Sequence, residues 1–141
     1  MVAAAARCGQ ALCVAALVLA GCAPVADQIP PQRASVEGRW QVVEIKRRAT
    51  PASDLYRISF QDGQLGARFG CNHMGGSYRQ AGAVIHAGDI ASTLMGCPEP
   101  AATFERDAGA ILSQPMSVSW ISRDRLELSN RAGGMKLLRL P

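Results

Sequence analysis

Four side chains in the middle of this chain carry the chemistry that its residue types make available: Cys71, His73, His86 and Cys97. Two thiols and two imidazoles could ligate zinc or copper, since both metals accept sulfur and nitrogen donors. The same thiols could shuttle electrons as a redox pair, Cys71 and His73 could form a nucleophile–base couple, or the thiols could join as a structural disulfide. The spacing weighs against the first three. No Cys-x-x-Cys is present, which compact metal sites and dithiol redox centres use. The chain holds only two histidines, and no neighbouring residue in sequence orients either as a base. There is also no Gly-rich phosphate loop, no Gly-x-Ser-x-Gly and no His-Glu-x-x-His, so no metal, cofactor or catalytic residue is expected.

The compartment follows from the N-terminus. Arg7 precedes an uncharged apolar stretch, Ala11 to Ala20, followed by Gly21 and Cys22. That is a signal-peptide pattern, too short for a membrane-spanning helix. Leu19-Ala20-Gly21-Cys22 resembles the lipobox of bacterial lipoproteins, which implies cleavage before Cys22, lipidation of its thiol (including palmitate) and membrane anchoring. Residues 1–21 are then a leader and 22–35 a Pro-rich tether. The single domain expected at 36–141 contains all seven aromatic residues. In an exported domain Cys71 and Cys97 are an even pair, and a disulfide is the expected outcome.

Loss of Arg7 leaves 14 basic residues against 11 acidic ones, scattered apart from Lys46-Arg47-Arg48. This is not the concentrated stripe of a nucleic-acid binder, and none is expected as a partner.

The elements that must position these groups are mostly strands. Trp40–Ile45, Tyr56–Phe60 and Leu65–Phe69 alternate, the last two around Asp62-Gly63, a tight hairpin turn. Short strands are expected at 77–79 and 83–86, a hairpin at 117–121 and 125–128, and a last strand at 135–140. From Glu99 to Ser113 the apolar residues Phe104, Ala108, Ile111 and Leu112 form a helical stripe, with Pro98 and Pro100 in its first turn. The fold class expected is α+β: a curled antiparallel sheet, or partly open barrel, packed around one helix.

Phe69-Gly70-Cys71-Asn72-His73-Met74-Gly75-Gly76-Ser77-Tyr78, Thr93-Leu94-Met95-Gly96-Cys97 and Glu105 together resemble the META/HslJ family. Trp40 and Leu126-Glu127-Leu128 match as well, so the resemblance spans most of the domain. The signature residues are Gly70, Cys71, Asn72, Gly76, Tyr78, Thr93, Met95, Cys97 and Glu105. The resemblance implies a small exported domain, often a lipoprotein and often linked to envelope stress, with no established enzyme activity. From the residues themselves, Asn72 is expected at a polar turn and Glu105 in an inward ion pair or capping role. The expected function is a lipid-anchored, non-enzymatic envelope protein, stress-associated or an interaction module, on the outer membrane facing the periplasm. Its partners would be the membrane, through the N-terminal lipid, and an envelope protein. The alternative is a carrier or sensor holding an apolar ligand between sheet and helix.

Overall fold

The computed structural model describes residues 34–141. The leader, Cys22 and most of the tether lie outside the described residues. The elements run β1 (Gly38–Ile45), β2 (Arg48–Ala49), β3 (Tyr56–Gln61), β4 (Gln64–Phe69), β5 (His73–Ala81), β6 (Val84–Ser92), α1 (Ala101–Leu112), β7 (Met116–Ser122), β8 (Arg125–Asn130) and β9 (Gly133–Arg139). No helix among the described residues is long and apolar enough to cross a membrane.

Every strand pairs antiparallel to its neighbour, and β1 also pairs with β9, so the sheet closes on itself. The expectation of a partly open barrel is corrected here. Closure comes from the length of β1: Gly38–Gln41 faces β3 on one side, while Trp40–Ile45 faces β9 on the other. Neither strand is left as an edge. The short β2 takes up β1 where β3 leaves it, opposite Glu44 and Ile45. The α+β description was also too loose, because the molecule is mostly sheet and its one helix forms no separate layer.

Instead α1 covers one mouth of the barrel. Phe104 meets Tyr56 edge-on, with ring centroids 5.5 Å apart, and Asn130 Nδ2 donates to the Ile111 carbonyl. Lys46 and Arg48 both pair with Asp107, which ties down the one basic cluster in the sequence. These partners share one end of the barrel: Tyr56 starts β3, Asn130 ends β8, and Lys46 and Arg48 follow β1. The helix begins at Ala101, two residues later than its stripe implied, with Pro100 as its N-cap residue and a cis peptide between Glu99 and Pro100. Glu99 still serves the helix start, accepting the Thr103 N–H.

The opposite mouth is sealed by Trp40, Trp120 and Arg139, whose guanidinium lies 4.2 Å from the Trp40 ring centroid. Arg139 also donates to the Glu37 carbonyl, and Trp40 Nε1 to that of Val36. The Gln80 side chain bonds both Ala34 and Val36 main-chain groups, so the chain is already fixed at Ala34, near the proposed end of the tether. Between the mouths, Phe60, Phe69, Ile58, Leu126, Leu128 and Met135, with Ile111 from the helix, are all fully buried and fill the barrel.

β5 and β6 are much longer than the strands expected at 77–79 and 83–86. A register shift lies between Gly75 and Ser77. A Cβ on Gly76 would come within 2.5 Å of the Gly88 carbonyl oxygen, so this bulge admits only glycine.

Candidate functional site

Most of the signature converges at the helix-covered mouth; Gly76 and Tyr78 lie further along β5. After β4 the chain turns through Gly70, whose φ of 121° is open to glycine and strained for other residues. A Cβ there would also lie 2.7 Å from the Ala101 side chain and 2.9 Å from the Tyr56 hydroxyl. The missing side chain lets the helix start pack against the turn.

Cys71 and Cys97 form a disulfide, with Cα atoms 6.0 Å apart and a sequence separation of 26. Closing such a loop stabilises the fold by about 3.5 kcal/mol in the chain-entropy account. The bond fastens the 93–97 loop, which follows β6, to the turn that starts β5.

Asn72 is the hub. It is 7% exposed, and each polar atom of its side chain has a partner far along the chain. Its Oδ1 accepts from Thr93 Oγ1 at 2.9 Å and from the Met95 N–H at 2.8 Å. Its Nδ2 donates to the Met95 carbonyl at 3.1 Å and to Glu105 Oε2 at 2.9 Å. The amide therefore reads both main-chain groups of Met95, as a neighbouring strand would. Thr93 Oγ1 in turn accepts the His73 N–H, and the Thr93 N–H donates to the His73 carbonyl.

Glu105 completes the arrangement from α1. Its Oε1 accepts the Cys71 N–H at 3.0 Å and also the Asn72 N–H. It lies inside the helix and is 8% exposed, with no cation as partner among the described residues. Of the ion pair or capping role expected of it, no ion pair forms among the described residues, and the capping consists in satisfying the two main-chain donors of a buried turn. Burial, with the nearby Glu105 carboxylate adding to it, raises the Tyr56 phenol above its ordinary value of 10.0.

The arrangement is poorly suited to chemistry. The cysteines are joined to each other, and every polar atom of the Asn72 side chain is engaged. Reduced, Cys71 and Cys97 would stand beside Glu105 as three potential metal donors, but as a disulfide their sulfurs are not thiolates. The four residues that sequence alone offered as a ligand set do not assemble. His86 pairs with Arg79, six residues along β5 from His73 and so about 20 Å away at strand rise. Tyr78 lies away from the clamp, packing on Phe60 at 4.9 Å with its hydroxyl donating to Glu37. Burial and that hydrogen bond raise its pKa.

What the clamp displays is apolar. Leu94, between the two residues held by Asn72, is 96% exposed, and Met95 is 53% exposed. Sequence reasoning passed over Leu94, which sits in a stretch without periodicity. The only signal was an aliphatic residue flanked by two signature positions.

A single-domain antiparallel barrel, plugged by a helix and braced by this polar clamp, is the class that these features define. Residues 34–140 match the META domain family, and the chain belongs to it. Among solved structures it is similar to a protein determined by NMR, with TM-score 0.64 and 16% identity over 73% of this chain and 89% of that one. A Burkholderia xenovorans protein, also determined by NMR, gives TM-score 0.60 and 18% identity over 74% of this chain and 82% of that one. A lipocalin-like protein from Bacteroides uniformis gives TM-score 0.46 and 17% identity over 74% of this chain and 97% of that one. No significant match was found among curated proteins. At these identities the similarities concern the fold.

Proposed function

We propose that this protein is a lipid-anchored, non-enzymatic interaction module of the bacterial envelope that presents its 93–97 loop to a protein partner. One observation carries the reading: the signature residues Asn72, Thr93, Cys97 and Glu105 are engaged in holding a loop whose tip, Leu94, is 96% exposed. An aliphatic side chain on a preorganised base makes a low-entropy anchor for a partner's pocket. The lipobox-like segment ending at Cys22 supports anchoring, with the outer membrane facing the periplasm as the favoured site, and the disulfide suits an oxidising compartment. The association with envelope stress comes from the family resemblance alone.

The carrier alternative draws no support from the barrel interior. Phe60, Phe69, Ile111 and Met135 occupy the space a ligand would need. The dents beside Arg39, Gln41 and Ser77 lie on the outer surface.

The test is a photo-reactive residue at position 94 of the full-length protein in its native membrane. A discrete protein adduct, lost on competition with unmodified protein but not with a Leu94→Asp variant of unchanged melting temperature, is the expected result. Labelling of lipid alone, or no adduct at 94 while control positions on β8 label, would refute it.

A further inference from the structure

A second surface, away from the loop tip, has the makings of a ligand site. Arg39, Arg57, Ser59, Arg68 and His73 are among the residues lining an open groove of about 380 Å³ on the outer face of β1, β3, β4 and β5, whose lining also includes apolar side chains such as Met74 and Leu140. Its origin is legible in the strand register. Arg57 lies directly opposite Arg68, and Arg68 opposite His73, so one row across three strands is basic. The next row runs Arg39, Ser59, Gly66, Gly75, whose small middle members leave a trough between the arginines.

This pattern has a cost. Like charges directly opposite one another on a sheet are destabilising, and ordinary surfaces place an acid between them. Among the described residues no acidic side chain lines this groove. Among the described residues Arg57 has Asp54 as its acidic partner, at 3.7 Å and with both side chains largely exposed, a pair that water and salt screen. Arg68 commits its Nε to the Cys71 carbonyl, which aims the side chain and leaves the outer edge of its guanidinium without a partner among the described residues. Arg39 donates to the Pro141 carbonyl at the rim. The groove thus gathers three permanent cations around a concavity, and the Ser59 hydroxyl at its floor donates to the Gly66 carbonyl.

We propose that this groove binds a phosphate group. Guanidinium forks match phosphoryl oxygens with paired hydrogen bonds, and a phosphoryl group offers the several oxygens that three arginines can share, where a carboxylate offers two. The phosphate can belong to a soluble ester or to a lipid headgroup. The site is independent of the loop reading, and its failure leaves that reading untouched.

The experiment titrates full-length, isotope-labelled protein with inorganic phosphate at constant ionic strength, and in parallel with vesicles of phosphatidylglycerol or of phosphatidylcholine alone. Saturable amide shifts confined to Arg57, Ser59, Gly66 and Arg68 are expected. Arg57→Gln and Arg39→Gln should each weaken phosphate binding about fivefold, and Arg125→Gln, on β8, should not. If the source is a headgroup, phosphatidylglycerol vesicles compete for the same amides, and the same two variants weaken vesicle binding; if it is soluble, only phosphate shifts them. Because Arg57→Gln relieves the repulsion with Arg68, its melting temperature should be unchanged or raised. Diffuse shifts, equal weakening by Arg125→Gln, or vesicle binding indifferent to Arg39 and Arg57 together with no phosphate saturation would overturn the proposal. A clear fall in melting temperature for Arg57→Gln would assign that arginine to the fold and overturn it equally.

Discussion

Replacing Glu105 with alanine should be among the most damaging single changes at this surface. The carboxylate accepts three donors: the main-chain N–H groups of Cys71 and Asn72 and the Nδ2 of Asn72. Nδ2 keeps the Met95 carbonyl as a partner, and half-buried Cys71 can recruit water. The Asn72 N–H has neither recourse, since the residue is 7% exposed. An orphaned buried donor costs about 1–3 kcal/mol, and hydrogen bonds to a charged acceptor lie toward the upper end. With a smaller contribution from the other two donors, Glu105→Ala should cost about 2–4 kcal/mol. For a domain of this size that lowers Tm by roughly 10–20 °C. Glu105→Gln keeps one acceptor oxygen but sets its amide NH₂ against the Asn72 NH₂, which Thr93 and Met95 hold in place, so about 1–2 kcal/mol is expected. Thermal and urea unfolding followed by circular dichroism, with the urea slope constant across variants, measures both. Glu105→Ala melting within about 2 °C of wild type would show that the turn does not depend on the carboxylate and refute the clamp.

Further consequences can be checked together. Gly70→Ala forces a Cβ to 2.7 Å from Ala101 at a φ of 121° and should cost at least about 2 kcal/mol, measured by the same unfolding curves. Alkaline stability should fall in a defined window: the folded pKa values of Tyr56 and Tyr78 are raised, so their contribution is fully present below about pH 10, the unfolded value, and is lost as pH rises through the folded values. Phenylalanine at both positions should flatten that decline in a pH series of urea titrations. Cys22→Ser should shift the protein from membrane to soluble fractions and abolish its lipid modification, read by fractionation and mass spectrometry.

How far the sequence carried depended on whether information was local. The hairpin of β3 and β4 was readable because Asp62-Gly63 fixes the turn and Tyr56, Ile58, Phe60, Leu65, Ala67 and Phe69 alternate cleanly. That register already places Arg57 opposite Arg68, so the basic row was available in principle. β5 and β6 were read short because Gly75, Gly76 and Gly88 interrupt the alternation, and a bulge shifts their register. Closure of the barrel depends on β1 meeting β9 across nearly the whole domain, which no local pattern encodes. The clamp is similar: Asn72 reads as a turn residue bonding nearby main chain, whereas its partners Thr93 and Met95 lie 21 and 23 residues away. Glu105 falls on the helical stripe beside Phe104, and nothing in its neighbourhood says that it faces a turn 33 residues earlier. The family resemblance identified these residues but not their tasks.

The central claim is that the signature residues hold the 93–97 loop rather than perform chemistry. Amide hydrogen exchange at Met95 tests this most directly, because its N–H has Asn72 Oδ1 as acceptor although Met95 itself is largely exposed. The account predicts measurable protection of Met95 in the wild type, comparable to that of the Asn72 N–H, and its loss in Asn72→Ala while the amides of β1 and β9 stay protected. Exchange of Met95 at the rate of an unstructured chain in the wild type, or protection that survives Asn72→Ala, would contradict it.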